Sequence, residues 1–129
     1  MELDVREGDR ADALVVAEPD DDAIARALGS LDQSRHTELS LVDENGAYVV
    51  VGGGRGRYHV STGAVLRDER VVLQSPYAGE SDNQEELVVG GRRRRYATRE
   101  VVDLGLAAAA VSEFLRSGRP HAGFTWRHS

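Results

Sequence analysis

Cysteine is absent from the 129 residues. Its absence excludes disulfides, thiolate nucleophiles and Cys-ligated zinc together, and it suits a reducing compartment. Lysine is also absent, so all sixteen basic residues are Arg. Aromatics are scarce, with two Phe, one Trp and four Tyr, and the core has to be built from Val, Leu, Ala and Ile. The opening Met1-Glu2-Leu3-Asp4-Val5 lacks the basic-then-apolar pattern of a secretory signal. No apolar run approaches the roughly 20 residues of a membrane span, and lipidation motifs are missing. Together these absences predict a soluble, cytoplasmic chain without a membrane partner.

What is present points to one domain over residues 1–129, with 1–10 expected to fray. The length suits a single two-layer core, and 40% apolar residues are too many for a disordered chain. The formal net charge is −6. That sign disfavours general nucleic-acid binding, which needs cations to neutralise phosphates, and favours a cationic partner.

Along the chain, Ala11 to Ala17 reads as a strand. Pro19 with Asp20, Asp21 and Asp22 starts a helix carrying Ile24, Leu28 and Leu31 at helical spacing. Thr37 to Asp43 and Ala47 to Val51 flank Asn45-Gly46, a strong hairpin signal. A two-residue turn there sets Leu41 opposite Val50, and puts Leu39, Leu41, Tyr48 and Val50 on one face. Gly52 to Gly56 reads as a second turn before the strand Arg57 to Ser61, and Arg70 to Gln74 as a further strand. Ser75 to Glu86 is a polar loop. Leu87 to Val89 and Arg92 to Tyr96 form a third hairpin about Gly90-Gly91. Thr98 caps a last helix through Val101, Leu104, Ala108, Val111 and Leu115. Gly118 and Pro120 end it, and Ala122 to Trp126 is a final strand. Runs of strands with a helix near each end predict an α+β fold: an antiparallel sheet of about six to eight strands with two helices packed on it.

No catalytic constellation emerges. The Gly52–Gly56 run lacks the Lys-Ser/Thr of a phosphate loop and is followed by a strand. His36, His59, His121 and His128 have no metal-ligand spacing. His59 would need an unseen carboxylate to act as a base, and reads first as a strand residue. Serine motifs are missing. We therefore expect no catalytic residue, no metal and no cofactor. Arg92 to Arg95 offers an anion or nucleic-acid patch. The hairpin explains it otherwise: Arg93 pairs with Val88 and Arg95 with Glu86 on one face, with Arg92 and Arg94 on the other. The acidic residues Asp43 and Glu44, at a hairpin tip, and Glu80, Asp82, Glu85 and Glu86, on the polar loop, are the candidate partner-binding set. Tyr77 is a candidate aromatic anchor.

The C-terminal third resembles immunity proteins of the first-numbered immunity family in bacterial polymorphic toxin systems. The pattern is the helix Val101 to Leu115, the turn Ser117-Gly118-Arg119-Pro120 and the strand Phe124-Thr125-Trp126. Tyr48 to Gly56, Tyr58-His59-Val60 and Glu86 to Tyr96 fit the same pattern, so the resemblance spans roughly residues 12 to 127. Glu113 to Pro120 is its sharpest piece. It implies an antitoxin that binds a cognate toxin domain as its protein partner and blocks the active-site cleft. Toxins that accompany this family include DNA cytosine deaminases, whose substrate cleft must be basic. The alternative expectation is a non-catalytic interaction or regulatory module unrelated to toxins. The oligomeric state is left open.

Overall fold

The computed structural model describes residues 2–7, 10–15, 21–33, 36–42, 46–64, 67–75 and 83–128. Among them the elements run β1 (Glu2–Glu7), β2 (Arg10–Val15), α1 (Asp21–Gly29), β3 (His36–Val42), β4 (Ala47–Gly54), β5 (Arg57–Ala64), β6 (Arg67–Leu73), β7 (Gln84–Val89) and β8 (Arg92–Ala97). A 3₁₀ turn (Thr98–Glu100), α2 (Leu104–Ser117) and β9 (Trp126–His128) follow. Seven strands form one sheet in the order β2-β1-β3-β4-β5-β6-β9, and β7 pairs with β8 in a separate two-stranded sheet. All pairings are antiparallel. The fold is α+β, as expected. No helix among the described residues is long and apolar enough to cross a membrane.

The β3–β4 register decides which side chains meet the helices. Leu41 lies opposite Val49 and Leu39 opposite Val51, one residue away from the register that an Asn45-Gly46 turn would impose. With a side-chain period of two, that step moves a strand's whole set to the other face. Val49 and Val51 join Leu39 and Leu41 in the core, against Ile24 and Leu28 of α1 and Ala107, Ala110, Val111 and Phe114 of α2. Tyr48 and Val50, expected on that face, occupy the opposite one. Residues 43–45 lie outside the described residues, as do Val16, Ala17, Pro19 and Asp20.

The opposite face is covered in part by the β7–β8 hairpin, a layer the sequence did not suggest. The hairpin's internal register is the expected one, with Val88 opposite Arg93 and Glu86 opposite Arg95. Its tip is tied down: Gly91 N donates to Thr37 Oγ1 at 2.8 Å and Val88 N to Gln33 Oε1 at 3.2 Å. Gln33 Nε2 in turn donates to Gly54 O at 2.9 Å. The expected turn at Gly52 to Gly56 is narrower, because β4 continues to Gly54 and only Arg55-Gly56 turns, both at positive φ. Gly52 is instead the hairpin's seat, and an added Cβ would overlap the Val89 Cγ atoms.

Residues 98–103 then carry the chain around the end of the sheet to the helical face. Tyr58 and Val102 exchange both backbone hydrogen bonds at 2.8 Å. This extended bridge shortens the expected last helix. Thr98 opens the 3₁₀ turn, and the N-cap of α2 is Asp103, whose Oδ1 accepts from Leu106 N at 2.8 Å. At the far end, Gly118 is left-handed and its N–H donates to Phe114 O at 2.7 Å, as expected of a Gly cap. The final strand falls later than expected, at Trp126–His128, with Trp126 opposite Leu73.

At the other terminus, Glu2–Glu7 form β1 in place of the expected fraying. β1 lies between β2 and β3, and Leu3 and Val5 alternate with charged residues as a strand requires.

Gly52→Ala should cost about 1–3 kcal/mol of unfolding free energy by overpacking against Val89. Val89→Ala in the same chain should recover part of it. Urea denaturation of the two single variants and the double variant checks this. Additive losses would mean that the two positions do not press on each other.

Candidate functional site

The predicted acidic set does not assemble into one patch among the described residues. Asp43, Glu44, Tyr77, Glu80 and Asp82 lie outside them. Glu85 and Glu86 belong to β7 rather than to a loop, because the ladder with β8 extends back to Gln84 opposite Ala97. As neighbours in a strand they point to opposite faces. Glu85 is largely covered and ion-paired with Arg57, whereas Glu86 is exposed, 3.9 Å from Arg93.

Among the described residues, a concentration of polar groups lies where the hairpin covers the second face of the large sheet. Strand alternation builds both walls. From the sheet come Tyr48 and Val50 of β4, His59 and Ser61 of β5, and Arg70 of β6; from the hairpin come Val89, Arg92, Arg94 and Tyr96. The cleft between them measures about 350 Å³. A wider groove of about 780 Å³ runs between α1 and α2, but there the Arg116 guanidinium is already neutralised by Glu113. Arg70 Nη2 donates to Ser61 Oγ at 3.1 Å. The Tyr96 and His59 rings lie 4.2 Å apart, tilted by 33°.

His59 is buried rather than solvated. Burial is the main cause that holds its imidazole down at a pKa of about 4, and the Arg70, Arg127 and Arg94 charges push the same way. The ring is therefore neutral at pH 7. The carboxylate that the sequence left unseen is Glu100, brought in by the segment rounding the sheet. Its Oε2 lies 3.9 Å from His59 Nε2, beyond hydrogen-bond reach, and its Oε1 is held by Arg127. Burial likewise raises the Tyr96 hydroxyl above its usual range, against the opposing pull of Arg94. The described residues include no group of three or more His, Asp or Glu suited to a metal ion.

Sequence reasoning separated Arg92 and Arg94 from Arg93 and Arg95 by face, as the register has it, but did not say which pair turns inward. It missed Arg70, Tyr48 and Tyr96 as their companions. No local signal relates them, because they meet only when the two sheets dock at Gly52 and Val89. No family model matches the chain, and no curated protein matches it.

His59 generates a pH dependence of stability. Its pKa is about 4 in the folded chain against an ordinary 6.5 when unfolded, so the unfolded chain binds more protons between those limits. Stability is complete above about pH 6.5 and should fall as the pH drops toward 4, by at most roughly 3 kcal/mol. His59→Gln should remove that component. Urea midpoints at pH 7 and pH 4.5 for both proteins test it, and parallel losses would assign the dependence to other groups.

Proposed function

We propose that this chain is an immunity protein: a non-catalytic binder that neutralises a bacterial toxin domain by docking an acidic surface on its basic substrate cleft. The observation that carries the reading is how charge is distributed. Among the described residues, three Arg gather in the cleft with Glu38 as the accompanying acid. Arg57, Arg116 and Arg127 are engaged by Glu85, Glu113 and Glu100. The rest of the sequence therefore sums to a charge more negative than the −6 of the whole, with Asp43, Glu44, Glu80 and Asp82 of that excess lying outside the described residues. A surface of that sign steers association with a cationic cleft and rejects wrong partners. A deaminase that grips nucleic acid has such a cleft.

The resemblance of the C-terminal third adds to this. Its residues act as one unit: Gly118 ends α2, Trp126 pairs with β6, and the Trp126 indole Nε1 donates to His121 O at 3.0 Å. In this reading the acidic residues Asp43, Glu44, Glu80, Asp82 and Glu86 supply the contact, while Glu85 is committed to Arg57. A cytoplasmic location follows, since the partner would act on intracellular nucleic acid.

Co-expression with the toxin domain encoded beside this chain should rescue the host and yield a complex that co-elutes on size exclusion. Failure of both would leave an interaction module unrelated to toxins as the better reading. Joint charge reversal of Asp43, Glu44, Glu80 and Asp82 should slow association by roughly tenfold at low salt. An unchanged association rate would place the contact elsewhere.

A further inference from the structure

We propose that the cleft between the β7–β8 hairpin and the second face of the large sheet binds a phosphate group, free or as the monoester of a small molecule, through Arg70, Arg92 and Arg94. This site is independent of the toxin-binding reading.

The run Arg92 to Arg95 is split by strand alternation. Arg92 and Arg94 line the cleft, whereas Arg93 and Arg95 belong to the outer face. Arg70 lines the same cleft from β6, so arginines from two separate sheets share it. Protection of a hairpin edge explains the outer pair and leaves the shared cleft unexplained. Arg57, Arg116 and Arg127 each have a carboxylate of their own, whereas among the described residues the three Arg of the cleft share a lining with one carboxylate, Glu38. Like charges in a half-enclosed space repel one another, and a bound anion removes that repulsion.

The site is also prepared in advance. Ser61 holds Arg70, and Thr37 and Gln33 pin the hairpin tip that carries the other two. Neutral His59 and the Tyr96 hydroxyl add groups able to donate a hydrogen bond without further charge. Arg70, Arg92 and Arg94 are themselves exposed, so these contacts order one guanidinium and the backbone that carries the other two, which spares a ligand part of the ordering cost of binding.

Charge selects the class of ligand. Among the described residues, three guanidinium groups and the Glu38 carboxylate leave two positive charges in the lining. A phosphomonoester, at about −1.5 to −2 near neutrality, balances them, whereas a lone carboxylate balances half. Arg is suited to phosphate because its planar fork bonds two oxygens at once. A polymeric nucleic acid fits less well, because the cleft is a pocket of about 350 Å³ in a chain of net charge −6. That volume falls within the usual range of small-molecule sites, about 300–1,000 Å³.

Isothermal titration of the full chain in a phosphate-free buffer tests the site, with inorganic phosphate, AMP and adenosine as probes. Phosphate and AMP should bind saturably and adenosine should not. Tighter binding of AMP assigns the site to an ester, and equal binding to free phosphate. The double variant R92Q/R94Q should bind at least roughly tenfold more weakly. R93Q/R95Q makes the same change of charge on the outer face and should stay within about twofold. R70Q, on the other sheet, should weaken binding and serves if R92Q/R94Q fails to fold by circular dichroism. Absence of saturable binding up to about 10 mM, or equal losses in the two double variants, would overturn the proposal.

Discussion

The pairing register of β4 is the constraint on which the rest of the molecule depends. With Leu41 opposite Val49 and Leu39 opposite Val51, one set of alternate residues faces the helices and forms the apolar core. The other set, Tyr48, Val50 and Gly52, then faces away. A slip of one residue would bury Tyr48 among the helices and expose the valines. It would also remove the glycine on which the second sheet rests. Core, hairpin seat and cleft are thus three consequences of one alignment.

The segment from Thr98 to Asp103 joins the two sides of the sheet. It leaves the hairpin on one face, bridges to Tyr58 and delivers α2 to the other. Glu100 lies buried on this path. A buried carboxylate requires compensation, and Arg127 of β9 provides it. The same pair ties the sheet's last strand to the crossing. His59 sits beside this network yet stays neutral, because burial and the surrounding guanidinium groups oppose its protonation more than the distant Glu100 favours it.

Electrostatically the molecule is divided. An acidic chain gathers three Arg into one cleft, formed from two sheets and bearing one carboxylate among the described residues of its lining. Over the rest of the sequence acids outnumber bases.

Much was legible in local pattern. The α+β class, the apolar stripes of both helices, the Gly118 cap and the β7–β8 register follow from spacing and turn chemistry, which act over a few residues. The alternation that divides Arg92 and Arg94 from Arg93 and Arg95 is of the same kind. The β3–β4 register was misread because an Asn-Gly turn and the burial of Val49 and Val51 favour different alignments, and burial involves helices distant in sequence. The cap of α2 was misplaced because Val102 continues the apolar spacing while its backbone is claimed by Tyr58, 44 positions away. Glu100 as the neighbour of His59, and Arg70 as the companion of Arg92 and Arg94, were beyond sequence for the same reason. The sequence by itself determined the class, the local elements and the sign of the charge. Only tertiary structure decided which faces met and which side chains shared the cleft, because those depend on packing between segments that no local spacing relates.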